Sequence, residues 1–371
     1  MARFGKYTSW ICVLAALVLL EFVGLVGALA WIGGREAEPA DLSVPVQEEP
    51  PDMPAWLAPA SGASDAPAPP PQAGEKERPA GELTAAEILG GSQIIAHGMG
   101  SVDGEAILNC LEGFQEQYEK GVRVFEVDLR LTADQQVVLR HDWRAGWQEG
   151  ISETAVPTLE EFLDKPLLGK YTPLSFRNLL ELMEDYPDIC VVTDSKFTDA
   201  EIVRLQFEAM VRDARELGLS YLLDRVAVQV YDPLMFKVVD SVHHFRHYIY
   251  TLYVEGFGRT EASFRERALF CAQNGIQGIT MWDTWWDGAF APIAARCGVK
   301  VYTHTVNDPQ QASALLESGV AAVYTDELTP AALDPEAPQE TAQENTDTPP
   351  EGGESGEASP EEKGDSEHGA D

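Results

Sequence analysis

From Gln93 to Pro330 short β-rich runs alternate with amphipathic segments of about a dozen residues, a pattern that restricts the chain to repeated βα units around a parallel sheet. The strand candidates are Ile94–Ala96, Val122–Leu131, Ile189–Thr193, Val226–Tyr231, Tyr248–Tyr253, Ile276–Met281, Val299–Thr305 and Ala321–Thr325. Helical patterns between them, at Leu111–Lys120, Ala200–Leu217, Phe264–Asn274 and Gln310–Glu317, end at Gly121, Gly218, Gly275 and Gly319. Eight such units in a stretch close to the ~250 residues of a (β/α)8 TIM barrel predict that fold for residues 83–330. An insertion, Val137–Leu174, separates the second and third units and opens on a hairpin-like Val137-Val138-Leu139-Arg140-His141-Asp142.

The flanks read differently. Residues 35–82 are rich in Pro, Ala and Glu, and residues 331–371 in acids, Pro, Gly and Ser; neither buries enough apolar surface to offset its ordering entropy, so both are expected to be disordered. Ile11–Ile32 is an apolar run interrupted by Glu21, long enough to cross a bilayer, with Arg3 and Lys6 before it. The expectation is a single-pass anchor within residues 1–34 and a domain on the outer side of the cell membrane. The alternative is a signal peptide cleaved near Ala30, after the small-residue pattern Ala28-Leu29-Ala30. A formal net charge of -35 without a basic stripe excludes nucleic acid as a partner. Cys110, Cys190, Cys271 and Cys297 lack metal or redox spacing and are expected to be free thiols, a Cys271–Cys297 bridge being the alternative.

In a TIM barrel chemistry collects at the C-terminal ends of the strands. The polar residues there are His97, Glu126, Asp128, Asp194, Lys196, Gln229, Trp282 and His304. Glu126 and Asp128, two apart in one strand, share a face, and inside a barrel that face points to the centre. Two buried acids need compensation. With Asp194 they form an oxygen-rich set suited to a divalent cation, Ca²⁺ or Mg²⁺. His97 and His141 form a pair of imidazoles able to take a proton from one oxygen and give one to another. His243, His244 and His247, together in one helix-to-strand stretch, read as structural. Trp282, Trp285 and Trp286, like Trp143 and Trp147, either wall a substrate or pack a loop.

The ordered set AHG, NCLEGF, FEVDLRLTADQQVVLRHD, VVTDSK, VAVQVYD, VYTHTVND, VYTD resembles the glycerophosphodiester phosphodiesterase family over residues 93–330. The resemblance implies that His97 and His141 are acid and base, that Glu126, Asp128 and Asp194 hold the cation, and that Lys196 contacts the phosphate. Asn109, Gln229, Trp282 and His304 complete the candidate substrate-binding set. Three positions depart from the family: its Arg after the first His is Gly98, its Thr after Asn109 is Cys110, and its late Trp is His304. The implied activity is metal-dependent hydrolysis of a glycerophosphodiester, or of a lysolipid, to glycerol phosphate and an alcohol. The alternatives are a phospholipase C or D acting on membrane lipid, and an inactive barrel serving as a surface binding module.

Overall fold

The β-branched and aromatic runs form nine strands in a computed structural model that describes residues 75–143, 156–254 and 257–333, all within one of the chain's two compact units, Ala55–Asp371. The strands are β1 (Ile94–Ala96), β2 (Val124–Leu131), β3 (Val137–Leu139), β4 (Cys190–Ser195), β5 (Val226–Val230), β6 (His247–Thr251), β7 (Gly278–Trp282), β8 (Lys300–His304) and β9 (Ala322–Thr325). All but β3 are parallel, and β1 closes the sheet by pairing with β9 on one side and β2 on the other. This is the eight-stranded barrel the alternation predicts. β3 pairs antiparallel with β2, as the hairpin-like sequence requires. Most strand ends shift by one or two residues, and two of the shifts bear on the site: Asp194 lies inside β4 and not after it, and β7 runs on to Trp282.

The expected membrane segment Ile11–Ile32, the cleavage alternative near Ala30, the linker up to residue 74, Trp147 and the tail beyond residue 333 lie outside the described residues. Among the described residues no helix is long and apolar enough to cross a membrane.

Strand periodicity sorts the side chains into two layers. Phe125, Val127, Leu129, Val191, Val228 and Tyr250 point outward and pack against the surrounding helices. Ile95, Val124, Cys190, Val192, Ala227, Ile249, Tyr302 and Tyr324 fill the interior. Tyr302 fits because β7 opens with Gly278, where a Cβ would stand 2.7 Å from the Tyr302 ring. A short helix, α1 (Ala85–Gly90), capped by Thr84 and Glu87, adds Ala85, Ile88 and Leu89 to this interior cluster. The inward residues farther along the strands are polar, so the open end of the barrel gathers the charged groups.

Residues 75–82, assigned from sequence to the linker, lie against the barrel. The Lys76 amide donates to the Gly218 carbonyl at 2.8 Å, Arg78 pairs with Asp224 at 3.0 Å, and Glu82 reaches the buried Arg225, with 2.8 Å between Nε and Oε1. The barrel therefore begins earlier than its sequence pattern.

His247 illustrates the cost of polarity in the interior. It shares the inward face of β6 with Ile249 and is 4 % exposed, and neither ring nitrogen has a hydrogen-bond partner among the described residues. Burial pushes its pKa down to about 4, from 6.5. The folded state therefore resists a proton that the unfolded chain accepts. The group costs nothing above pH ~6.5, and stability falls by about 1.4 kcal/mol per pH unit as the pH drops from there toward 4. Urea unfolding of parent and His247→Phe at pH 7 and pH 4.5 should show the variant losing roughly 2 kcal/mol less than the parent between the two; equal losses would refute the account.

Candidate active site

The inward positions of the strand ends bring together most of the residues singled out from sequence. Glu126 and Asp128 project from β2 and Asp194 from β4, where Asp128 and Asp194 are direct neighbours in register. All three are buried, and one carboxylate oxygen from each lies within 4.8 Å of the others. Glu126 accepts the Gly98 amide at 2.7 Å. Lys196 Nζ lies 2.6 Å from Asp128 Oδ1 and also contacts Asp194, so the lysine expected to touch the phosphate bridges two acids here.

The electrostatics follow from that crowding. Burial, and then the charges of Asp128 and Asp194, push the Glu126 carboxyl up to about 8 against the pull of His97 and Lys196. Burial would raise Asp128 too, but Lys196, His141 and His97 outweigh it and hold that carboxyl below its ordinary value. Lys196 is raised: burial disfavours its charge, yet Asp128, Asp194 and Glu126 more than compensate. The chain's own cations thus leave Glu126 undercompensated. Three buried carboxylates with surplus negative charge fit a hard divalent cation, which Glu126, Asp128 and Asp194 would hold.

His97 follows β1. Its Nδ1 is 2.8 Å from Asp326 Oδ1, just beyond β9. Burial alone would lower this imidazole, but Asp326, Glu126 and Asp128 raise it to about 9. His141 follows β3 in the insertion, half exposed, with Nδ1 3.2 Å from Asp142 Oδ2. A cavity of ≈ 240 Å³ adjoins it, walled by Glu105, Ile107, Leu108, Arg140, Asp142 and Leu168.

Asn109, Gln229 and His304, expected to touch substrate, are largely committed to protein. Asn109 is fully buried; its Nδ2 donates to Asp128 Oδ2 at 2.7 Å and its Oδ1 accepts the Asp128 amide at 2.9 Å. Gln229 donates to Asp194 Oδ1 at 3.0 Å and accepts the Tyr324 hydroxyl at 2.8 Å. His304 sits among the rings of Tyr253, Trp282 and Tyr324, and burial, with His97 and Lys196, pushes it down to about 3, so it stays neutral. Trp282 is 43 % exposed at the mouth and is the one of the four with a free aromatic surface.

The structure also explains two departures from the family pattern. Gly98 has φ 54°, and a Cβ there would stand 2.6 Å from Ile107 Cα, so the segment leading to Asn109 occupies the space a larger side chain needs. Cys110 caps the helix α2 (Leu111–Glu119) by accepting the Gly113 amide at 3.3 Å, the capping position where a threonine hydroxyl ordinarily serves. Burial pushes its thiol up to about 11, so it is not a nucleophile at neutral pH. Cys271 and Cys297 are free, as expected.

Four functional partners escaped the sequence reading: Asp326, Asn307, Tyr231 and Tyr253. Tyr231 and Tyr253 both donate to Asp194 Oδ1, the latter at 3.2 Å. Asp326, Asn307 and Tyr231 lie within motifs already singled out, VYTD, VYTHTVND and VAVQVYD, and Tyr253 ends the strand candidate Tyr248–Tyr253, but none of the four carried a role there.

The profile of the glycerophosphoryl diester phosphodiesterase family matches residues 103–329, which include Glu126, Asp128, His141, Asp194 and Lys196. The chain belongs to this family. It is accordingly a phosphoric diester hydrolase, of a family whose members are metal-dependent and cleave glycerophosphodiesters. Solved structures share the barrel. An Oleispira antarctica phosphodiesterase in complex with the product sn-glycerol-3-phosphate is 18% identical with a TM-score of 0.52, covering 63% of this chain and 93% of its own. A Galdieria sulphuraria protein assigned as a glycerophosphodiester phosphodiesterase is 17% identical with a TM-score of 0.53, over 63% and 93%. A Silicibacter pomeroyi protein assigned likewise is 20% identical with a TM-score of 0.51, over 63% and 90%.

Proposed function

We propose that this phosphodiesterase hydrolyses small water-soluble glycerophosphodiesters to glycerol phosphate and an alcohol, using His97 and His141 as its proton-transfer pair. The observation that carries this reading is the convergence of His97, Lys196 and three buried carboxylates at one end of the barrel. A bound Ca²⁺ or Mg²⁺ would supply Lewis acidity and offset negative charge on the phosphate. Lys196 adds positive charge on the same side of the site. One imidazole removes the proton from the attacking hydroxyl, either water or a neighbouring substrate alcohol, and the other protonates the leaving oxygen. Trp282 supplies an apolar wall at the mouth. The cavity beside His141, at ≈ 240 Å³, offers room for the alcohol portion of a small diester. The product held by the Oleispira antarctica phosphodiesterase, sn-glycerol-3-phosphate, is the one this reaction yields.

The reading extends to location: Arg3 and Lys6 before Ile11–Ile32 favour a barrel tethered to the outer face of the cell membrane through the linker. The test of substrate class is a screen of the purified full chain against glycerophosphocholine, glycerophosphoethanolamine, glycerophosphoglycerol, glycerophosphoinositol, lysolipids and diacyl phospholipids. Turnover of the first group is expected, and His141→Ala should remove it. Cleavage confined to diacyl lipid would replace this reading with a phospholipase, and binding without cleavage with a binding module.

A further inference from the structure

Asp326, the residue that follows β9, faces His97 across the closure of the barrel. Asp326 Oδ1 meets His97 Nδ1 at 2.8 Å, and its Oδ2 accepts Asn307 Nδ2, also at 2.8 Å. Asn307 is itself pinned. Its Oδ1 accepts the Thr325 hydroxyl at 2.9 Å and the Asp326 amide at 2.8 Å, which settles which end of its side chain is the donor. The Asp326 carbonyl is held as well, by the Ser101 amide at 2.8 Å.

We propose that Asp326, oriented by Asn307, is a positioning residue that fixes His97 in the tautomer with its proton on Nδ1, so that Nε2 is the nitrogen that exchanges the reacting proton. The proposal rests on the phosphodiesterase reading. An ionised carboxylate only accepts hydrogen bonds, so the nitrogen facing it must carry a proton. In the neutral ring Nε2 then holds the lone pair that receives a proton, and in the cation Nε2 holds the proton that is given up. Asp326 serves His97 in either direction, and it touches no reacting atom.

The same network makes the isosteric amide a poor substitute. In Asp326→Asn the new side chain has one acceptor end and one donor end. Asn307 Nδ2 is a fixed donor, so it claims the acceptor end, and the NH₂ group turns toward His97. Nδ1 must then accept. The ring proton moves to Nε2, and the neutral imidazole can no longer receive a proton there. Adding Asn307→Asp reverses the demand: the new carboxylate at position 307 accepts from the introduced NH₂ group, and the amide oxygen turns back to His97 Nδ1. A purely structural role for Asp326 predicts no such rescue.

The test uses the full chain as parent, Asp326→Asn, and Asp326→Asn combined with Asn307→Asp. It measures kcat and KM on the best diester from the screen, thermal midpoint, and the ¹⁵N side-chain signals of His97 at a pH where the ring is neutral. Asp326→Asn should lower kcat by about 10²–10⁴-fold with KM largely unchanged, and move the ring proton from Nδ1 to Nε2. The second substitution should return roughly tenfold or more of the lost kcat and restore the Nδ1–H signal. The proposal is overturned if the parent carries its proton on Nε2, if folded Asp326→Asn keeps near-parental kcat, or if the second substitution restores neither rate nor tautomer. If the parent cleaves no diester, the phosphodiesterase reading fails while the tautomer signals still decide the role of Asp326.

Discussion

Excess chelator is expected to take turnover to background, and Ca²⁺ or Mg²⁺ to restore it. Glu126, Asp128 and Asp194 are buried, with one oxygen of each within 4.8 Å of the others, and the chain's answer is Lys196 and His97. That answer is incomplete, because Glu126 is pushed up to about 8 in the absence of a further cation. A site in this condition gains several kcal/mol of charge stabilisation from a divalent ion. It should also gain stability: any ligand that binds the folded state alone raises its unfolding free energy, by about 2.7 kcal/mol at a hundredfold excess over Kd. Two measurements check the account, turnover in chelator with metal added back, and the thermal midpoint of the chelated protein titrated with Ca²⁺ or Mg²⁺. Glu126→Gln should weaken the metal-dependent rise in midpoint. Full activity in excess chelator would remove the metal from the mechanism.

Starting the chain at Leu83, or replacing Glu82 by alanine, should cost the barrel about 3–5 kcal/mol. Arg225 is 1% exposed, and its side chain donates to the carbonyls of Tyr186, Ile189 and Met183. Those carbonyls satisfy hydrogen bonds but carry no charge; the countercharge is Glu82, itself 4% exposed. Burial raises the Glu82 pKa against the pull of Arg225 and Arg78, and lowers that of Arg225 against the pull of Glu82. Desolvation therefore outweighs attraction in both partners, so the pair adds little stability. Losing one partner is the damaging event, because it strands a buried charge. The expected signature is non-additivity. Urea unfolding of Glu82→Ala should show the full loss, whereas Glu82→Leu combined with Arg225→Met, which removes both charges, should lie close to the parent. A Glu82→Ala midpoint indistinguishable from the parent's would show that the three carbonyls suffice.

Strand-borne features were the most legible. A carboxylate at positions 126 and 128 of one strand has to share a face, and the alternation of β-rich and amphipathic segments leaves a parallel sheet as the way to satisfy every backbone group. That is why the barrel, β3 and the Glu126, Asp128 and Asp194 set were expected and found. Boundaries were less legible where polarity hid them. Asp194 looked like a strand end because it is charged, yet it continues β4, since the barrel centre tolerates a carboxylate that three donors and Lys196 satisfy. Residues 75–82 looked like linker because their composition is that of one; the contacts that hold them belong to Gly218, Ser220, Asp224 and Arg225, far along the chain.

By itself, then, the sequence determined the layering of the barrel, the end at which its chemistry gathers and the residue types available there, because periodicity and charge are local properties of a chain. Only the tertiary structure decided how those residues divide their work. Asn109 and Gln229 turn their amides on Asp128 and Asp194, Lys196 bridges two acids, and Asp326 and Asn307 hold His97 from the far side of the closure. Nearly all of these contacts join residues from separate segments of the chain, and which donor finds which acceptor depends on distances of a few tenths of an ångström that no spacing along the chain encodes.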